Sequence, residues 1–112
     1  MTVQMVRFTT TEDRVADVEA GIETVIAAID RAQPAGMRYT ACRERDGVTF
    51  LLLLELDDGV ENPLPAIPEA RAFQQQMAGW AATPPAPEPL AVVGSYRLFG
   101  TPDRAPNRAG RA

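Results

Sequence analysis

Arginine, tyrosine, asparagine and tryptophan are the side chains with which this 112-residue sequence could do chemistry. Histidine is absent, and so is lysine: all 11 basic residues are arginine. A Ser-His-Asp or Cys-His site is therefore impossible, as is a zinc or haem site that needs a protein imidazole. Lysine Schiff-base chemistry and a phosphate-cradling lysine are excluded in the same way. Arg97 leads the candidates because it interrupts an otherwise apolar run over residues 90–99. A guanidinium aimed into a cleft would stabilise an enolate or phenolate. Arg7 follows by the same argument. Tyr39 and Tyr96 could donate hydrogen bonds to a carbonyl or quinone oxygen, or serve as ordinary amphipathic sheet residues. Asn62 could polarise a carbonyl, or simply form a turn before Pro63. Trp80 falls in line with Phe73 and Met77 at i, i+4 and i+7, a stripe that either walls a ligand cleft or packs a core.

Other groups read more plainly. Arg38 and Arg43 fit salt bridges at a sheet edge. Cys42, the one cysteine, fits a small buried hydrophobe, with no histidine to activate it. Glu55 follows four leucines and would be a raised-pKa base if buried, although strand ends are usually wet. The acids Glu55, Asp57, Asp58 and Glu61 do not match an EF-hand loop, so no metal is expected.

The elements that must position these groups follow from hydrophobic period. Residues 3–9 alternate as a first strand, with Val3, Met5 and Arg7 on one face and Gln4, Val6 and Phe8 on the other. Thr9, Thr10, Thr11, Glu12 and Asp13 form a helix start, with a threonine hydroxyl as cap. Val15, Val18, Ile22, Val25, Ile26 and Ile29 then make one helical stripe, which Pro34 and Gly36 end. Gly21 inside it costs about 1 kcal/mol against alanine and marks close backbone packing. Residues 37–45 and 48–56 are two strands joined at Asp46-Gly47, a two-residue hairpin turn signal. Residues 50–54 are apolar at both parities, so both faces of the third strand should be buried. Pro68 suits the first turn of a second helix, which fades at 79–83. Residues 82–89 are a proline-dense, stiff connector, and 90–99 is a fourth strand.

This order is β-α-β-β-α-β, the ferredoxin-like arrangement: a four-stranded antiparallel sheet with two helices on one face. The other face is left apolar and bare, which a two-fold homodimer would cover. The expected domain spans 1–100. Residues 101–112 hold Arg104, Arg108 and Arg111 but no large apolar residue, and are expected to be a disordered tail.

With those elements the sequence resembles the dimeric α+β barrel superfamily, and most of all the antibiotic biosynthesis monooxygenase-type domain. The residues that carry the resemblance are 3–8, the amphipathic helix from Thr11, the Asp46-Gly47 hairpin into 50–54, the Phe73, Met77 and Trp80 helix, and the closing 92–99 strand. The resemblance implies an apolar cleft between sheet and helices in each subunit. It implies oxidation of a small aromatic or quinone-like molecule by dioxygen with no cofactor, the substrate anion supplying the electrons. Haem-degrading relatives use an axial histidine, which this chain lacks. An Asn-Trp pair recurs at such oxygenase sites, and Asn62 and Trp80 supply those residue types. Two other functions fit the same fold: a non-catalytic small-ligand binder, and an isomerase or decarboxylase of polyketide-type intermediates. A net charge of −4 speaks against nucleic acid. No run approaches the ~20 apolar residues of a membrane span. The opening residues carry no signal-peptide pattern, and one cysteine suits a reducing cytoplasm.

Overall fold

Each half of the chain delivers a strand, a helix and a returning strand. The structure is a computed structural model and describes residues 1–98. The tail expected over 101–112 lies outside the described residues. The elements are β1 (Thr2–Thr9), α1 (Val15–Ala32), β2 (Met37–Arg43), β3 (Thr49–Leu56), α2 (Pro68–Trp80) and β4 (Glu88–Leu90). The strands form one antiparallel sheet in the order β2-β3-β1-β4. This is the ferredoxin-like fold.

Register decides which side chains meet the helices. Phe8 lies opposite Phe50, and Val6 opposite Leu52. Gln4 lies opposite Leu54, and Leu54 in turn opposite Tyr39. These residues line the helical face. Val18, Val25 and Ala28 of α1 and Ala70, Phe73 and Met77 of α2 pack onto Phe8, Phe50 and Leu52 as one cluster. Burying a side chain of that size contributes about 1.5–3 kcal/mol. The opposite face carries Met5, Leu51 and Leu53, which are only half-buried. The both-parity apolar pattern of β3 therefore meets cover on one face and half-cover on the other.

Two glycine-dependent features set the geometry. At Gly21 a Cβ would stand 2.8 Å from Phe73 Cδ1 and 3.4 Å from Trp80 Cζ3. The missing side chain is what lets α1 lie against the aromatic end of α2. Gly47 takes φ +82° in the β2–β3 connection. That connection is longer than a two-residue turn, because Asp46 reorganises it. Its carboxylate accepts hydrogen bonds from the N–H groups of Val48 and Thr49, at 3.0 and 2.9 Å, and from the Thr49 hydroxyl at 2.6 Å.

Three further expectations are corrected. No threonine caps α1; a 3₁₀ turn, Glu12–Arg14, precedes it, and the Thr11 hydroxyl donates to Asp13 instead. Ile26 is exposed, off the buried stripe. The fourth strand is Glu88–Leu90, at the sheet edge where Pro89 leaves no interior bond unmade. Residues 91–98 form no strand.

Candidate functional site

A cavity of about 330 Å³ opens between the sheet and α2. Its floor is the helical face of the sheet: Gln4 and Val6 of β1, Tyr39 of β2, Leu52 and Leu54 of β3. Val25 closes one side, and Ala70, Phe73, Gln74, Met77 and Ala78 of α2 form the roof. Asn62, Leu64 and Pro65 supply one rim, and Pro84, Pro85 and Pro87 the other. The proline-rich connector holds that second rim in place. It is fixed at its start by two bonds: the Thr10 hydroxyl donates to the Trp80 carbonyl at 2.7 Å, and the Ala82 N–H donates to Thr9 at 2.8 Å.

Among the described residues no charged side chain lines this cavity. Its polar groups are three amides, Gln4, Asn62 and Gln74, and one phenol. Burial pushes Tyr39 up to about 12, so at neutral pH the phenol is protonated and can donate. The phenol has no hydrogen-bond partner among the described residues. The Asn62 Oδ1 accepts from the Leu64 N–H at 3.0 Å, which turns the chain into the 3₁₀ segment Leu64–Ala66. That bond occupies the carbonyl and leaves the NH₂ as donor. An apolar slot with neutral donors at its edges suits a flat, largely apolar molecule bearing one or two oxygens.

The structure divides the residues singled out by sequence. Tyr39, Asn62, Phe73 and Met77 come together on the cavity. Trp80 does not line it; its ring meets Phe73 edge-on at 6.1 Å and closes over Gly21. Arg7 sits on the far face of the sheet, where its Nε donates to Glu44 at 2.8 Å. Tyr96 is 80% exposed, and the Arg97 guanidinium stacks 5.1 Å from its ring centroid. Arg97 has φ +65°, a left-handed conformation uncommon for a residue with a side chain. For Tyr96 and Arg97 the physical reason is that residues 91–98 leave the sheet, so their alternation never faces the helices.

Glu55 is buried, as one of the two sequence readings required, but it faces away from the cavity and pairs with Arg38 at 2.5 Å. Arg38 also holds Asp57, and Arg43 pairs with Glu19 at 2.6 Å. Cys42 is exposed. Among the described residues no three of His, Cys, Asp and Glu gather to hold a metal ion, and no helix is long and apolar enough to cross a membrane. Gln4 and Gln74 were missed. Gln4 had a signal, since beyond the terminal Thr2 it is the one polar residue on the Val6 and Phe8 face of β1.

Solved structures share this architecture. A Nitrosomonas europaea protein provisionally named an antibiotic biosynthesis monooxygenase superposes with a TM-score of 0.66 at 14% identity, covering 84% of this chain and 100% of that one. The chain has the antibiotic biosynthesis monooxygenase-type fold. A Deinococcus radiodurans protein of the same provisional name gives 0.64 at 14% identity, over 89% of this chain and 100% of that one. A Caulobacter crescentus protein, named likewise, gives 0.62 at 19% identity, over 83% and 90%. The likeness at these identities is one of fold. No family model matches the sequence, and no curated protein matches it.

Proposed function

We propose that this chain is a cytoplasmic homodimer that oxidises a small aromatic or quinone-like molecule in the Tyr39 cavity, with dioxygen and without a cofactor. The observation that carries this reading is the cavity lining: apolar walls, neutral donors and, among the described residues, no charged side chain. A phenol or enol enters as its anion. The Tyr39 hydroxyl and the amide NH₂ groups of Asn62, Gln4 and Gln74 surround the oxyanion, while Phe73 and Met77 hold the ring system. The electrons come from the substrate. An activated CH₂ and O₂ become a C=O and one H₂O, so one oxygen atom is retained and the other leaves as water. The protein's part is to exclude bulk water and to set charge-stabilising dipoles in place. Arg97, Arg7, Trp80 and Tyr96 take no direct part in this reading.

A binding protein without turnover is the second reading, favoured by the absence of a carboxylate or imidazole from the lining. The same absence leaves an isomerase or decarboxylase without its acid–base group. Dioxygen uptake with an anthrone- or naphthol-type substrate separates the first two. Uptake matched to ketone formation and lowered at least tenfold in Tyr39→Phe supports oxidation. Saturable binding with no uptake supports the binder. Light scattering at micromolar concentration tests the homodimer, and a monomer mass would overturn it.

A further inference from the structure

The connector ahead of β4 is longer than the strand it runs beside. The Ala82 N–H donates to the Thr9 carbonyl, and pairing resumes with Glu88 opposite Met5. Five residues, 83–87, therefore run beside only three of β1, residues 6–8. The surplus takes the chain out of the sheet. Pro84, Pro85 and Pro87 lie in that excursion, and all three line the cavity. The excursion is an arch over one end of the cavity.

Proline makes the arch both permissible and stiff. A proline has no N–H, so no ladder donor is left unmade at these positions when the chain lifts off the sheet. Each ring also fixes φ at about −65°. A proline-dense run keeps its extended form without internal hydrogen bonds. Both feet of the arch are tied down. Beside the first, the Thr10 hydroxyl donates to the Trp80 carbonyl at 2.7 Å. The second is β4, paired with β1. Widening the arch would break one of these ties.

The donors stand away from it. In the order β2-β3-β1-β4 the arch is on the β4 side and Tyr39 is on β2. Three strand spacings, roughly 14 Å, separate those two edges. Asn62 belongs to the rim opposite the arch. The prolines offer ring carbons to a ligand and no N–H to an oxyanion.

We propose that the proline arch 83–87 is the specificity determinant of the cavity. It is a fixed wall that limits the ligand's length and turns its oxygen toward Tyr39 and Asn62. The preferred ligand is a fused-ring phenol whose edge remote from the oxygen is short and apolar. The proposal rests on the assignment of this cavity as the binding site, and goes beyond it by naming what limits the ligand.

Two ligands with one head group test it, by titration calorimetry on the full chain. They are 2-naphthol and 6-phenyl-2-naphthol, which extends the ring system away from the oxygen. The wild type is expected to bind 2-naphthol at least about tenfold more tightly. Pro84→Gly combined with Pro85→Gly and Pro87→Gly should bring that ratio to within about twofold. Thr10→Val unties the first foot and leaves the lining intact; it should lower the ratio at least about threefold. Where the triple variant fails to fold by circular dichroism, Thr10→Val decides. A wild type that binds both ligands equally, or folded variants that keep the wild-type ratio, would overturn the arch and leave the cavity standing. A wild type that binds neither ligand overturns the cavity assignment and the arch with it.

Discussion

Gly21 of α1 and Phe73 of α2 meet so closely that a Cβ on residue 21 would stand 2.8 Å from the Phe73 ring. That contact seats Phe73 in the cavity roof, while the Trp80 ring stays off the cavity. Gly21→Ala gains about 1 kcal/mol of helix propensity and loses about 1–3 kcal/mol to overpacking. A net loss of about 1 kcal/mol is expected from denaturant unfolding, with altered Trp80 fluorescence. A stabilised variant with unchanged fluorescence would show that the rings move freely.

Tyr39 gives a pH signature. Burial favours the neutral phenol and raises its value from 10.0 to about 12. Its contribution to stability is therefore complete below pH 10 and is lost as pH climbs from 10 to about 12. Ultraviolet titration should show a phenolate appearing near pH 12 that vanishes in Tyr39→Phe. The variant should also unfold less steeply across that window.

Asp46 acts at the opposite end of the scale. The Thr49 hydroxyl, then the Val48 N–H, hold its carboxyl below the usual range. Stability from this group is present above the unfolded-state value and is lost as pH falls through the lowered one. Asp46→Asn should flatten the acid limb of the stability–pH curve. An unchanged limb would mean that the β2–β3 connection draws nothing from the carboxylate.

Asn62 has a turn oxygen and a free NH₂, and Asn62→Asp separates them. The acceptor for Leu64 survives, the donor is lost, and a negative charge enters the cavity rim. Thermal stability should hold while affinity for a phenolate ligand falls tenfold or more, since a hydrogen bond to a charged group is worth about 1.5–3 kcal/mol. Equal affinity would confine Asn62 to the turn.

Much of this was legible in local pattern. The strand parity of Gln4, Val6 and Phe8, the proline at the start of α2 and the stripe of Phe73 and Met77 are properties of neighbouring residues. The fate of Trp80 was not legible. One helical face carries it and Phe73 alike, and only the gap at Gly21, on another helix, turns its ring from the cavity. The placement of Arg97 was hidden for a related reason. Residues 90–99 alternate as a strand should, but the register of β4 on β1 is set by chain closure across the whole fold. That register exhausts the sheet at Ala91.

The most direct measurement is a crystal structure of the protein soaked with a brominated naphthol. Bromine density between Phe73 and Met77, with the naphthol oxygen on the Tyr39 hydroxyl, is the expected result. An empty cavity at saturating ligand, or bromine bound only elsewhere, would contradict the assignment of this cavity as the site.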